Sequence, residues 1–365
     1  MSKRTAILMA PTDVGAAGTR VIDISLRGNI SRIAVLWRCT VVTVSAMIGN
    51  LMACITRLEV IDGSEVLFSA TGSQAQGINF YEEKVLPLHH LSLTVGDEYR
   101  AVVHINFGRW LWDNLLALNP AHFDNLQLRI SYDEDACNTA VVVNAMSVLA
   151  YVDDDPATGG PNGFLLTREV QSYPMAVSGH EYITIPTDYP IRALFLRAWS
   201  TDHDPRTLLA NVKLSVENDK SVPFDIPSAE LIDLVCSRYG EIGGHMIMDA
   251  VVTANVIYLP VSQYPSLAIE YGVTAFVTAQ SHFALSVFTG GLDTVAASVD
   301  ITKITAEWKG FIPHETIPLE LGDMDDPATW LPVAGLKDVR LDVQASADAD
   351  AGDTGTVVVQ QARYY

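Results

Sequence analysis

The sequence holds few of the residues that usually support catalysis or covalent cross-links. Only 4 of its 365 residues are cysteine, none in a C-x-x-C pair, and no histidine stands at zinc-site spacing. Neither a G-x-S-x-G elbow nor a glycine-rich phosphate loop is present. His89 and His90 are adjacent, so on a strand they would point to opposite faces, unlike the His-x-His pair of a cupin. We therefore expect no enzyme activity, no cofactor and reduced cysteines.

Positive charge is scarce as well. Lysine and arginine number 23 against 43 acidic residues, which gives a net charge of -20 and a pI near 4.7. Such a surface repels phosphate groups, so direct sequence-specific binding of nucleic acid is not expected. The first 40 residues differ, with six basic residues against two acidic ones, and Lys3 and Arg4 stand near their start. A basic N-terminal arm that faces a different environment is predicted, with a few solvated arginines as the alternative.

Long hydrophobic runs are almost absent. The exception is Cys39–Thr56, 18 residues without a charge, which is borderline for a membrane span. Its Val residues are interleaved with Thr and Ser, and Gly49-Asn50 at its middle is typical of a hairpin turn. Two buried strands are therefore predicted there. The N-terminus shows no signal-peptide pattern.

Strand patterns, in contrast, are abundant. Short apolar or alternating segments bounded by turn residues recur along the whole chain, and 49% of the residues are hydrophobic. Helical patterns are few and short, at Gly72–Lys84, Trp110–Leu118 and Ser228–Tyr239. The chain is predicted to be all-β, with short helices in the loops between strands.

A turn-rich break near the middle divides the chain. The segment YVDDDPATGGPNGF, Tyr151–Phe164, combines three consecutive aspartates with proline and glycine turns that no strand could cross. Each half shows the order strand, polar turn, strand, helix, which indicates a repeat of pattern. Two tandem eight-stranded jelly-roll sandwiches are predicted. The predicted division is an N-terminal arm (1–25), a first jelly roll (26–155), a linker (156–164), a second jelly roll (165–315) and a C-terminal extension or hairpin (316–365).

One aromatic stretch offers candidate interface residues. A strand ends in Phe107-Gly108-Arg109, and Trp110 and Trp112 follow. A planar guanidinium beside glycine can bond loop carbonyls or a neighbouring carboxylate. Tryptophans anchor cores and subunit interfaces. We predict structural or interface roles for all five residues, and no catalytic role for Arg109.

An acidic stretch near the C-terminus is a weak calcium candidate. In DADAGDTG, Asp348, Asp350 and Asp353 surround a glycine, but the spacing and closing glutamate of an EF-hand loop are missing. A solvated acidic turn between two strands is the alternative.

Three stretches together resemble a known family. They are LEVIDGSEVLFSATG (Leu58–Gly72), HINFGRWLWDNLLAL (His104–Leu118) and FDNLQLRISYD (Phe123–Asp133), and their pattern returns in the second half. In these features the chain resembles the double jelly-roll major capsid proteins of tailless icosahedral viruses with an internal membrane, which infect bacteria or archaea. The resemblance covers about residues 20 to 315.

The resemblance implies a structural, non-catalytic role. Two upright jelly rolls would stand side by side, and three chains would form a pseudo-hexagonal homotrimer that tiles an icosahedral shell. The partners implied are further copies, neighbouring capsomers, a penton protein and the internal membrane. Lys3 and Arg4 would face inward, toward lipid headgroups or neighbouring capsomers. The location implied is the virion, after assembly in the host cytoplasm. The alternatives are a carbohydrate- or receptor-binding tandem β-sandwich of spike or lectin type and a cupin-type enzyme.

Overall fold

The computed structural model describes most of the chain as strands with three helices between them. The described residues are 3–41, 50–93, 96–137, 141–155, 160–201, 203–249, 255–269, 276–279, 284–288 and 303–365. The helices are α1 (Gly72–Glu83), α2 (Pro205–Leu208) and α3 (Ser228–Tyr239). The strands of the first half are β1 (Lys3–Thr12), β2 (Ala17–Asp23), β3 (Asn29–Val41), β4 (Ile55–Asp62), β5 (Glu65–Ala70), β6 (His89–Leu93), β7 (Glu98–Asn106), β8 (Leu126–Asp133) and β9 (Val141–Asp153).

The second half contains more strands than the first. They are β10 (Gly163–Pro174), β11 (His180–Thr184), β12 (Ile191–Trp199), β13 (Leu209–Val216), β14 (Ser221–Pro227), β15 (Ile242–Asp249), β16 (Asn255–Tyr258), β17 (Gln263–Ile269), β18 (Phe276–Ala279), β19 (Ala284–Phe288), β20 (Lys303–Phe311), β21 (Thr316–Glu320), β22 (Val339–Ala345) and β23 (Thr354–Tyr364). The extra strands, β15 to β20, are inserted between α3 and β21.

Both halves have the strand order of a jelly roll. In the first, the two sheets run β1-β9-β3-β7 and β2-β8-β4-β5. In the second, they run β10-β23-β12-β21 and β11-β22-β13-β14. When the eight sandwich strands of each unit are numbered in chain order, leaving out β6, which lies beyond β7, and the inserted β15 to β20, both units give 1-8-3-6 and 2-7-4-5. This is the order of a jelly roll. The predicted fold class is therefore confirmed.

Alternation of side chains explains why these strands form sandwiches. Along β8, LQLRISYD, and along β22, VRLDVQA, every second residue is buried while the residues between are partly exposed. One face of each strand thus packs in a sandwich core and the other does not.

The predicted arm is wrong, because residues 3–23 form the first two strands of the first jelly roll. β1 pairs with β9, and β2 pairs with β8. Most residues of both strands are exposed, so the sequence lacks the alternation that marks a half-buried strand.

The predicted C-terminal extension is also wrong. Residues 316–365 supply β21, β22 and β23, the last three strands of the second jelly roll, and β23 lies between β10 and β12. The inserted strands β15 to β20 fill the positions where those last three strands were expected. The predicted linker, 156–164, follows β9 but reaches into β10, which begins at Gly163. Its residues 156–159 lie outside the described part.

Two of the three predicted helices are confirmed as α1 and α3. The predicted helix Trp110–Leu118 is wrong, because this segment is an irregular loop. The Asp113 carboxylate accepts hydrogen bonds from the backbone N–H groups of Arg109 and Leu115, which folds a tight turn. Leu116 and Leu118 then form isolated β-bridges to other segments, so their backbones are not available to a helix.

The described residues of the uncharged stretch Cys39–Thr56 do not form a membrane helix. β3 ends at Val41, residues 42–49 lie outside the described part, and Asn50 caps a 3-10 turn, Leu51–Cys54, that leads into β4. The predicted second strand is thus a turn over its first four residues. Among the described residues, no helix is both long enough and apolar enough to span a bilayer.

Candidate functional site: the seam between the two jelly rolls

The two jelly rolls are joined by shared sheets and by a buried contact surface, here called the seam. The strands β5 and β10 meet in parallel at Phe68 and Thr167. The strands β6 and β15 also pair in parallel. Both sheets of the first jelly roll therefore continue into the second half. This joins the two sandwiches side by side in one chain.

Helix α1 fills the seam. Thr71 caps its first turn and forms a capping box with Gln74, and every residue from Gly72 to Tyr81 is buried. The fit is close, since a Cβ placed on Gly77 would lie 2.6 Å from Thr316 Oγ1. The Tyr81 hydroxyl donates a 2.6 Å hydrogen bond to the carbonyl of the same threonine. A helix predicted to lie in a loop therefore packs between the two units.

Gln76 on α1 joins both jelly rolls through its side-chain amide. Its Nε2 donates to the carbonyl of Val102 at 2.8 Å, which assigns Oε1 as an acceptor. That oxygen lies 2.9 Å from His89 Nδ1 and 2.7 Å from His314 Nε2. Both of these ring nitrogens must therefore carry the proton.

The outer nitrogens of the two rings complete the network. His89 Nε2 lies 3.2 Å from the Tyr99 hydroxyl, and His314 Nδ1 lies 2.9 Å from that of Tyr258. The hydroxyls can donate to these nitrogens, so the arrangement fits two neutral imidazoles. Burial, followed by the nearby His90, lowers the pKa of His89 to about 3. Burial also holds the pKa of His314 well below its usual value, with smaller effects from His89 and Arg197.

A strained turn brings His314 into the seam. Ile312, His314 and Glu315 have φ angles of 55°, 47° and 57°, in the left-handed region that non-glycine residues rarely adopt. All three residues are buried. Arg197 holds the turn by donating to the His314 carbonyl at 3.0 Å and to Glu315 Oε2 at 2.9 Å. Burial nevertheless raises the pKa of Glu315, against the opposing effect of Arg197.

A buried arginine connects the far end of α1 to the second jelly roll. Arg192 is 0% exposed, and it donates to Gln360 Oε1 at 2.6 Å and to the Met324 carbonyl at 2.8 Å. Gln360 in turn donates to Glu82 Oε1 at 2.7 Å. Burial lowers the pKa of Arg192, partly offset by the charge of Glu82. Hydrogen bonds therefore join Glu82 at the end of α1, through Gln360 of β23, to Arg192.

Ion pairs at the rim connect strands of the two units. Arg57 and Glu169 lie 3.0 Å apart, and Arg363 binds Glu65 through two hydrogen bonds of 2.6 and 3.1 Å. These partly exposed pairs contribute little free energy, but each fixes the position of one unit against the other.

The predicted residues Phe107, Gly108 and Arg109 lie in a compact turn. Phe107 is buried against Phe164, at a ring separation of 6.4 Å. A Cβ on Gly108 would lie 2.5 Å from the Leu116 carbonyl oxygen, so only glycine fits there. Arg109 donates to both carboxylate oxygens of Asp113, at 2.7 and 2.8 Å.

Arg109 also links this turn to the second half. Its Nη1 donates to the Asp325 carbonyl at 2.7 Å. The Asp113 side chain is 1% exposed. Burial acts to raise the pKa of that carboxyl, but the hydrogen bonds from Arg109 outweigh it and hold the pKa below its usual value. Arg109 and Asp113 therefore form a charged pair in which each carboxylate oxygen accepts a hydrogen bond from the guanidinium.

The two tryptophans have different surroundings. Trp110 is 48% exposed, with the Arg109 guanidinium 4.1 Å from its ring centre. Trp112 has a φ of 69°, its ring meets Tyr151, and Lys3 Nζ lies 5.4 Å from its ring centre. Trp112 thus packs within its own unit, and contact of Trp110 with another subunit stays a prediction.

Lys3 and Arg4 lie on β1 and not on a free arm. Lys3 is opposite Asp153 in the ladder and also faces Trp112. Arg4 binds Asp154 through both Nε and Nη2, the latter at 3.1 Å. Their side chains are therefore directed at their own jelly roll.

The carboxylates of two of the three predicted calcium ligands, Asp350 and Asp353, are used within their own turn. Asp350 Oδ1 accepts the N–H of Gly352 at 2.6 Å, and Asp353 Oδ2 accepts the N–H of Asp350 at 2.8 Å. Asp348 is nearby, and its N–H donates to Ser346. Across the described residues, no three potential ligand side chains are gathered in a group that could hold a metal ion.

Comparison with known proteins extends the likeness of fold to the whole chain. No family model and no curated protein sequence matches it. Solved structures do match: the major capsid protein P2 from bacteriophage PM2 has a TM-score of 0.57 at 13% identity, covering 100% of this chain and 98% of that one. The STIV major capsid protein has a TM-score of 0.62 at 9% identity, covering 98% and 96%. A quasi-atomic model of the PBCV-1 virus capsid gives 0.57 at 9% identity, covering 99% and 93%.

The chain has the double jelly-roll fold. The resemblance drawn from the three sequence stretches is therefore confirmed at the level of fold. The comparison also covers residues outside 20 to 315, in agreement with the strands found at both ends of the chain. The seam was not predicted, because its members are far apart in sequence; Gln76 and His314 are separated by 238 residues.

Proposed function

We propose that this chain is a major capsid protein with a structural, non-catalytic role. The observation that carries the proposal is that its two jelly rolls, joined by a buried seam, match capsid structures over at least 98% of its length. Such a protein works by burying surface against copies of itself, so a rigid building block is what the function requires.

The capsomer is proposed to be a homotrimer. Two similar sandwiches side by side make a chain with two of the six sides of a pseudo-hexagon. Three chains close the ring if the contact between chains repeats the angle of the seam within a chain. The buried network around Gln76 and Arg192 supports this, because it fixes that angle. Pseudo-hexagonal capsomers would then tile an icosahedral shell.

Other partners follow from the same proposal. They are neighbouring capsomers, a penton protein at the shell's vertices and an internal lipid membrane, in virions assembled in the host cytoplasm. Attachment to lipid through Lys3 and Arg4 is not part of the proposal, because Arg4 is paired with Asp154 and both residues lie on a strand. The alternative of a carbohydrate- or receptor-binding module is not favoured, since the matching structures are viral capsid proteins.

The molar mass of the purified chain tests the proposal. Size-exclusion chromatography with light scattering should give three times the chain mass of 39.7 kDa. A mass that stays at one chain over the whole accessible concentration range would contradict a capsid role.

A further inference from the structure

The seam within the chain is built from parts that occur twice. On the first jelly roll it uses the fifth strand, β5, and the helix that follows, α1. On the second it uses the first strand, β10, which meets β5, and the turn that leads into β21, whose residues His314 and Thr316 meet α1. Phe68, four residues before α1 begins, lies opposite Thr167 in the parallel bridge. Both residues are buried there.

The second jelly roll carries the same strand and helix, and in the described part of the chain this strand has a free edge. β14 is its fifth strand and the edge of its sheet, and in the described part of the chain only β13 pairs with it. Phe224 lies four residues before α3 begins, as Phe68 does before α1. Leu234 on α3 is 61% exposed, whereas Ile78 at the same place on α1 is 2% exposed.

The first jelly roll carries the matching first strand, also at an edge. β1 pairs only with β9 among the described strands. Lys3 lies opposite the last residue of β9, as Gly163 lies opposite the last residue of β23. Counting four residues onward, Ile7 occupies the place of Thr167. Ile7 is 68% exposed, although Thr167, the residue that it matches on β10, is buried.

We propose that β14 of one chain docks on β1 of a second copy, with Phe224 opposite Ile7, and that the second copy also covers α3 at Leu234. The contact between chains would thus repeat the contact within the chain. This inference rests on the proposed capsid function and names the surface by which its trimer forms.

The local chemistry of β14 is compatible with such a contact. Pro223 has no N–H and would stop a long ladder from forming at this edge. A single bridge at Phe224, the residue after Pro223, does not require an N–H on the proline. The bridge between β5 and β10 is equally short, with one residue pair. A large part of the free energy of the proposed contact would come from Ile7 and Leu234, because both now expose apolar surface.

Cysteine cross-linking tests the pairing. The variant Ile7→Cys/Phe224→Cys, treated with a short bismaleimide, should give covalent dimers and trimers on a denaturing gel, at least ten-fold above either single variant. The wild-type chain sets the background from its native thiols. Ile7→Cys/Val177→Cys is the matched control, since Val177 is 64% exposed on another surface and should not react across chains.

A second variant tests the same surface without a cross-linking reagent. Leu234→Glu should raise the trimer dissociation constant at least ten-fold, while Val177→Glu should leave it unchanged. Both positions are exposed, so the fold should persist, as circular dichroism can verify. Trimers that neither cross-link above background nor weaken with Leu234→Glu would overturn the pairing but leave the proposed function intact. A monomeric wild-type chain would overturn both.

Discussion

Acid should weaken the seam, because two buried imidazoles at its centre are neutral. Protonation of His89 would place a second donor against Tyr99 and a charge beside His314, whose ring centre lies 5.7 Å away. The neighbouring basic residues His90 and Arg197 also disfavour a positive charge on the pair, His90 at His89 and Arg197 at His314. Glu315 follows His314 directly, and burial raises the pKa of its carboxyl.

The size of the effect follows from the pKa of His89. In the unfolded chain the pKa is 6.5, and in the folded chain it is about 3. The unfolded state therefore binds the proton first, so stability is complete above pH 6.5 and is lost as the pH falls toward 3. Each pH unit in this window costs about 1.4 kcal/mol, which gives a loss of about 2 kcal/mol at pH 5. His314 adds a loss in the same direction.

Equilibrium unfolding in urea at pH 7.5 and pH 5 measures this loss. The variant His89→Gln should be less stable at pH 7.5 but should show a smaller drop between the two pH values, by about 2 kcal/mol. His122→Gln is the control, because His122 is exposed and stacks on the ring of Tyr365, outside the buried network around Gln76. An equal drop in wild type and His89→Gln would refute the reasoning.

Three further outcomes follow from single contacts. Gly77→Ala would stabilise an exposed helix, but here it should lower the free energy of unfolding in urea by about 1–3 kcal/mol. Adding Thr316→Ala should recover part of the loss. A Gly77→Ala variant more stable than wild type would contradict the close packing. Arg109→Ala should cost about 1.5–3 kcal/mol, because the buried Asp113 carboxylate would keep only its backbone N–H partners. Adding Asp113→Asn should reduce that cost in the same assay, and no reduction would argue against the ion pair. Calcium should not raise the melting temperature relative to EDTA, because the carboxylates of Asp350 and Asp353 already accept hydrogen bonds from their own backbone. A clear rise would assign a calcium site to this turn.

Local patterns were sufficient for the fold class and for part of the topology. The alternation along β8 and the helical patterns of α1 and α3 are visible in the sequence, because each depends on neighbours within one element. β1 was missed because an exposed edge strand lacks that alternation. The loop after Phe107 was predicted as a helix because its apolar spacing is helical, whereas Asp113 directs it into a turn.

The seam could not be predicted from sequence patterns. Gln76 and His89 look like ordinary helix and loop residues, and their role exists only once His314 is brought beside them by a strained turn. No periodicity marks a contact between residues so far apart. The resemblance to a family indicated that two jelly rolls stand together, but it did not indicate which side chains hold them.

A cryo-electron microscopy reconstruction of particles purified from the native source is the most direct test of the capsid proposal. It should show shells built from capsomers with six barrels, each fitted by three copies of this chain with β14 beside β1 of the next copy. Particles whose shell density is fitted by a different protein, with this chain absent or confined to isolated spikes, would contradict the account.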